Sequence, residues 1–439
     1  MFKKLDKIME FSLYGFILTL PFSKTMLELF FIFALASWAL KRIISYSHQP
    51  PFNGYQLIPL KEKIQALVKM FKPVNTELNG PISIFIFIGF LSTITSVSFY
   101  LSLEGFFFKL FEWIMLYFIV TEALNSKEKL YKILGILFFS MVIIGIDGIF
   151  QAATGVDFIR RHPMSGVRLK ASFSSPNSFA GWLVMMIPLA LSFAYFWKDN
   201  LFKLSSRHNW LKKAIRPGLW AITGILTFCL AFTYSRGAWI GVILAVLFIG
   251  RLRSRKLLIM TVIAILILPL FMTGYLKERT IAIIKFSETA GVRPLIWEEA
   301  VNIVKDFPFL GCGLNTYAIV GPHYKVPGGT GYYPHNSYLH MAAESGLLGL
   351  ASFLWIIAAL FKTSLANLKR IGNGFYSIFL TGLLAGLFGF LAHSFVDTNI
   401  YTLQLGNLMW FIMGLMAAVQ RTAGFSESGD GEPAHSLTG

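Results

Sequence analysis

The chain has 439 residues, 55% hydrophobic and 16% aromatic, with 39 Lys and Arg against 22 Asp and Glu for a net charge of +17. Such an excess invites a nucleic-acid reading, but the basic residues are spread over short connections between apolar runs and form no continuous stripe. The apolar runs leave no stretch that reads as a soluble domain, and no internal repeat is visible.

Twelve hydrophobic stretches follow one another at roughly 10–23, 25–45, 81–98, 105–124, 131–151, 177–197, 218–234, 237–250, 257–274, 343–361, 375–395 and 403–420. A hydrocarbon core takes about 20 apolar residues per helix. The predicted fold class is therefore all-α: a polytopic membrane protein with about twelve transmembrane helices. The expected organisation is a nine-helix bundle over 1–274, an outer loop at 275–342, three further helices over 343–421, and a polar, disordered tail at 422–439.

The start, MFKKLDK, carries Lys3, Lys4 and Lys7, which favours a cytoplasmic N-terminus. Alternating from there, two thirds of the Lys and Arg fall on the cytoplasmic side, although the longest loop lies on the other. No small-x-small cleavage site follows the first stretch, so it reads as a retained helix. Segment 61–72, KEKIQALVKMFK, puts Ile64, Leu67, Val68 and Phe71 on one face and suits a helix lying on the inner membrane surface. Within the spans, Lys109 and Glu112 are spaced as an i,i+3 pair. Asp147 and Asp397 sit at outer helix ends, where pairing and function are both open. Cys229 lies in a span and Cys312 in the outer loop; neither a disulfide between them nor metal-ligand spacing is expected.

Three outer-side segments carry the candidate chemistry. The first, 153–176, holds Arg160, Arg161 and Arg168 ahead of a helix opened by PNSFAGW. The second is the tight joint TYSRGAW, where Ser235 is placed to cap the next helix and Gly237 permits close approach. Arg236 there runs against the positive-inside bias, which favours function over simple snorkelling. The third is 275–342. Pro294 suits the first turn of a helix running to about Asp306, with Trp297, Ala300, Val301 and Val304 as its apolar stripe and Arg293 just before it. FLGCGLN then gives a glycine turn, and VPGGTGYYP leads to His335 and Asn336 at a helix start.

Histidine titrates near neutrality and can take a proton from a hydroxyl. Alone, His335 would more often be a polar cap. Its neighbours change that reading. His323, His335 and His340 lack the two-histidine i,i+4 spacing of zinc enzymes, and the outer loops lack a D-x-D pair for a pyrophosphate-bound cation, so no metal and no cofactor are expected. Arginine can neutralise a diphosphate directly through its fork.

RPLIWEEA, DFPFLGCGLN and PHNSYLHMAAESGLLGL, together with TYSRGAW and FSSPNSFA, resemble the O-antigen ligase and polymerase superfamily over about 168–350. The resemblance implies a glycosyltransferase of the bacterial inner membrane with its site facing the periplasm, inverting and metal-independent. It implies a glycan donor on undecaprenyl pyrophosphate and, as acceptor, lipid A-core or the next repeat unit. It places the catalytic histidine at His335 and the diphosphate-binding arginines at Arg236 and Arg293. Arg168 and Arg161 compete with Arg160 for a third contact, and Asn336, Tyr338 and Trp297 stand as substrate-binding candidates. His340 is expected to matter less. A transporter of lipid-linked glycans is the competing class. It would place charge near the bilayer midplane, whereas these charges gather at the outer edge. A protein O-oligosaccharyltransferase of the same superfamily is the competing enzyme.

Overall fold

Each of the twelve apolar stretches is centred on a helix in the computed structural model, which describes residues 1–47, 61, 65, 69–198, 209–271, 274–284 and 291–427. The helices are α1 (Phe2–Thr19), α2 (Lys24–Ser47), α3 (Asn79–Ile94), α4 (Phe99–Gly105), α5 (Glu112–Ala123), α6 (Lys127–Thr154), α7 (Pro176–Phe196) and α8 (Asn209–Phe232). They continue as α9 (Arg236–Arg253), α10 (Arg255–Phe271), α11 (Gly274–Ile284), α12 (Arg293–Asp306), α13 (Tyr317–Val320), α14 (Ser337–Arg370), α15 (Phe375–His393) and α16 (Leu403–Glu427). Among the described residues, the extended pairings are two isolated bridges, Val156 with Pro163 and Ser165 with Arg168. The surface helix expected over 61–72 lies largely outside the described residues, and α16 continues beyond the boundary expected at 421.

Among the described residues, six helical segments are long and apolar enough to cross a membrane: Lys127–Thr154, Pro176–Phe196, Lys213–Phe232, Ser337–Arg370, Phe375–His393 and Leu403–Gly424. The interior is built on α7, α15 and α16. α15 packs on both α7 and α9, and α16 packs on α5. Large apolar side chains face outward elsewhere, among them Phe87, Phe108, Ile146, Leu266, Phe271 and Trp355. An aqueous surface would leave such a face unsatisfied, whereas acyl chains match it.

Two departures from regular helix shape the end that carries His335. Between α4 and α5, residues Phe106–Phe111 form a π-helix. The wider turn carries Lys109 and Glu112 away from the spacing an α-helix gives, so the expected pair does not form. Lys109 Nζ instead donates to Asn315 Oδ1 (2.6 Å), and Glu112 Oε1 accepts from Asn407 Nδ2 (2.5 Å).

The second departure is in α14, which is broken at Gly346 (φ 71°, ψ −179°). The FLGCGLN turn fills the break. Cys312 N–H donates to Ala343 O (2.8 Å) and Gly313 N–H to Glu344 O (3.0 Å), while Leu347 N–H donates to Pro308 O (2.8 Å). Backbone groups that the break would orphan inside the protein are thereby satisfied. A Cβ at Gly346 would also run into the backbone of Phe309.

This conformation is open essentially to glycine alone, at a cost of about 1–3 kcal/mol for other residues. Gly346→Ala should therefore lower the melting temperature of the purified protein by roughly 2 °C or more. Gly372→Ala, where a methyl group meets open space, should leave it nearly unchanged. Equal melting curves for wild type and Gly346→Ala would contradict the interlocked break.

Candidate functional site

Asn336 starts the short arm of α14. It takes the N-cap position, its Oδ1 accepting from the N–H groups of Tyr338 (2.9 Å) and Leu339 (3.1 Å). Ser337 ties this arm to the segment between α15 and α16. Its N–H donates to Ser394 O (2.9 Å) and its hydroxyl to Asp397 O (2.9 Å). Tyr338 adds a third tie: its hydroxyl donates to Leu391 O (2.8 Å) and its ring packs on Phe395. Asn336 and Tyr338, expected at a substrate, also hold the arm in place.

His335 precedes the cap in the left-handed region (φ 47°), which non-glycine residues enter at some cost. Its side chain is 47% exposed, and Nδ1 lies 3.4 Å from Asp397 Oδ1. Asp397 is itself buried, and Thr398 N–H donates to the same oxygen (2.9 Å). Burial pushes the Asp397 carboxyl up. The bond from His335 and the nearby imidazoles of His393 and His335 outweigh that push and hold it below the usual carboxylate range. An ionised Asp397 favours the tautomer with a proton on Nδ1, which leaves Nε2 free to accept another.

Two arginine-bearing helix starts lie near the same segment. Gly237 packs so tightly on Val396 that a methyl group there would overlap it and press on His393 Cδ2 (3.0 Å). Arg236, the adjacent first residue of α9, is half-buried next to that contact. Arg293, first residue of α12, lies within electrostatic reach of His393, as does Asp397. Arg168 binds the joint itself: Nε donates to Thr233 O (2.7 Å) and an Nη to Asn177 Oδ1 (2.6 Å). Ser235 occupies the cap position of α9, but its side chain makes no cap bond; Tyr234 takes a left-handed turn (φ 51°) instead.

Other expectations shift. Arg161 lies over the rings of Phe150 and Phe158, and Arg160 donates to Ser172 O (3.2 Å), so both serve their own loop. That loop is pinned by Asp147, which accepts from Phe158 N–H (2.6 Å) and Ser172 Oγ (2.7 Å), and by Gln151, which accepts from the N–H groups of Lys170 and Ala171. α12 buries Ile296, Glu299, Ala300 and Ile303, one step around from the expected stripe, and Val301 is exposed. Glu299 explains the rotation. Its carboxylate accepts from Val326 N–H (3.1 Å) and Gly331 N–H (3.0 Å), so the polar residue goes inward with the loop. Trp297 is half-buried, with Nε1 unpartnered.

His340 is not peripheral. It is buried and stacked on Tyr401 (centroids 3.7 Å apart), with Nε2 3.2 Å from Glu344 Oε1. Nε2 is thus paired with the Glu344 carboxylate, and Nδ1 has no hydrogen-bond partner. Among the described residues, no group of three His, Cys, Asp or Glu side chains is arranged to hold a metal ion.

A cavity of about 510 Å³ opens at the far end of α16, beside Arg421 and Gln420. It holds none of the histidines or outer arginines. A cavity of about 200 Å³ beside Thr398, Tyr401 and Thr402 adjoins the site.

Residues 221–354 match the family described as O-antigen ligase, a span that holds Arg236, Arg293, His335 and the break at Gly346. A 243-residue stretch, 52% of this chain and 55% of the relative, is 26% identical to the exopolysaccharide production protein ExoQ of Rhizobium meliloti (strain 1021). The chain thus spans about half the length of the curated relative it matches. These findings make the chain similar to the O-antigen ligase family over residues 221–354, and its apolar helices make it a multi-pass membrane protein.

Both cysteines are free and buried, and burial pushes the Cys312 thiol up to about 12. The thiolate is the reactive form. Iodoacetamide at pH 7.5 should leave Cys312 unmodified in the folded protein and modify it in detergent-denatured protein, read by mass spectrometry. Modification at equal rates in both states would place Cys312 at the surface.

Proposed function

We propose that this chain is a membrane glycosyltransferase that moves a glycan from a polyprenyl diphosphate, of the undecaprenyl type, to a sugar hydroxyl. The observation that carries the reading is the His335–Asp397 pair on a segment that packs on Gly237, next to Arg236, and lies within electrostatic reach of Arg293. The acceptor hydroxyl attacks the anomeric carbon on the face opposite the diphosphate. Its proton passes to His335 Nε2, and the bond from the anomeric carbon to phosphate oxygen breaks with its electron pair going to the diphosphate. Arg236 and Arg293 offset that charge with fixed forks, and Asp397 steadies the imidazolium. Inversion follows from a single displacement, and no metal is required.

Two acceptors fit this chemistry. Likeness to a protein named for exopolysaccharide production favours a growing lipid-linked polysaccharide, hence a polymerase. The O-antigen ligase match keeps lipid A-core as the second reading. Purified protein given undecaprenyl-pyrophosphate glycan, with and without lipid A-core, separates them. Lengthened lipid-linked chains without core mean polymerase, and glycan joined to core means ligase. No transfer in either mixture would remove the proposal.

His335→Ala should reduce transfer by about 10²–10⁴-fold, the usual worth of a general base, while donor binding persists. Arg236→Ala and Arg293→Ala should each reduce it by about 10²–10³-fold, with Lys rescuing only in part because the fork is lost. Near-normal rates in His335→Ala would assign the base elsewhere.

The proposed topology has twelve crossings, both termini cytoplasmic and 275–342 in the periplasm. Gly329 is buried against Glu299, so the exposed Lys325 is the better probe position. A cysteine at Lys325 should react with an impermeant maleimide added outside intact inner membrane. Reaction only after permeabilisation would invert the orientation.

A further inference from the structure

The 200 Å³ cavity is lined by Lys109, Asn315, His340, Glu344, Thr398 and Tyr401, with Ala318, Tyr333 and Thr402 completing its wall. Four unusual features meet there. Lys109 projects from the π-helical stretch, and such bulges tend to mark functional positions. Asn315, which receives the Lys109 ammonium, holds a left-handed backbone (φ 62°). His340 is 1% exposed and pairs through Nε2 with Glu344, yet its Nδ1 lacks a hydrogen-bond partner. Glu344 places a buried carboxylate at the last turn before the break in α14. A polar cluster assembled from four distant parts of the chain, with hydrogen-bonding capacity left over, is poor design for a core and good design for a ligand.

The lining identifies the ligand's class. Lys109 and Glu344 offset each other, so a diphosphate would face the carboxylate and a divalent cation would face the ammonium. A neutral polyhydroxyl compound matches an alternation of donors and acceptors: ammonium, amide, imidazole, carboxylate and hydroxyls. Tyr333, 49% exposed and leaning on His340 (centroids 5.3 Å apart), offers an aromatic face for the apolar C–H side of a sugar ring. The location identifies the role. Thr398 directly follows Asp397, so the cavity begins where the His335 pair ends. Gly237, next to Arg236, packs on Val396 of the same segment, and Arg293 lies within electrostatic reach of its His393.

We infer that this cavity is a sugar-binding subsite that seats one residue of the acceptor glycan beside His335, with Lys109, Asn315, His340 and Glu344 as its specificity-determining side chains. The role rests on the glycan-transfer reading above; the binding itself does not.

The test uses the full-length protein in detergent and a panel of methyl glycosides of glucose, galactose, mannose and N-acetylglucosamine, read by saturation-transfer NMR. At least one glycoside should bind. Binding should be lost in Ala318→Phe, which fills the cavity from an exposed helix position and leaves the buried charges in place. Asn315→Gly keeps the left-handed backbone and removes the amide, and should weaken binding roughly tenfold, the worth of one charge-assisted hydrogen bond. In the transfer assay, Ala318→Phe should raise the acceptor KM about tenfold or more with kcat and donor KM little changed.

Transfer by wild type with unchanged acceptor KM in both variants would overturn the subsite and leave the function standing. No transfer by wild type, with glycoside binding lost in Ala318→Phe, would overturn the function and leave a sugar site. Binding of inorganic pyrophosphate or Ca²⁺ at this cavity, with no glycoside bound, would overturn the ligand class.

Discussion

The half of this protein that carries His335 depends on one backbone exchange: the break in α14 at Gly346 and the turn 308–313 that fills it. A helix broken inside a membrane protein exposes carbonyls and amides that neither lipid nor apolar side chains can satisfy. Here Ala343 and Glu344 give their carbonyls, and Leu347 its amide, to a loop instead of to the helix. The long arm of α14 remains a candidate membrane span. The short arm, Ser337–Ser345, becomes free to take its own direction. It carries His335 at its tip and Glu344 at its base, and so fixes the spacing between the His335–Asp397 pair and the adjoining cavity.

The rest of the site is held by buried polar anchors rather than by apolar packing. Ser337 joins the short arm to Asp397, Glu299 holds the 326–331 loop, and Asp147 and Gln151 hold the loop before α7. Each is a short side chain gathering backbone N–H groups or hydroxyls. Such bonds are directional, so they specify one loop arrangement at a depth where a slack loop would strand its own polar groups. Rigid placement matters for this chemistry. A general base must lie within hydrogen-bond reach of its hydroxyl, and the diphosphate must meet its cations at the same moment.

The helices were legible because apolar length is the strongest signal a membrane sequence carries. Arg236 stood out because a charge at a span edge is unusual, whereas His335 and Arg293 were singled out chiefly by the resemblance of their motifs to a known family. What stayed hidden depends on distance along the chain or on turn type. Asp397 partners His335 from 62 residues away, and Asn315 partners Lys109 from 206. No local period reports either. The π-helix dissolves the Lys109–Glu112 spacing that an α-helix would give, and Glu299 draws a polar face of α12 inward because two loop amides wait there. Asn336 and Tyr338 carry structural hydrogen bonds that the motif did not announce, and His340, expected to matter less, lines a cavity.

The central claim is that Asp397 holds His335 in the tautomer that leaves Nε2 as the base. Transfer rates of wild type, Asp397→Asn and Asp397→Glu, measured on protein of matched melting temperature, test it most directly. The amide keeps the shape but can impose the wrong tautomer, so Asp397→Asn should lose about 10²-fold or more in kcat with donor binding intact, and Asp397→Glu should recover part of that loss. A kcat for Asp397→Asn within a fewfold of wild type would contradict the account.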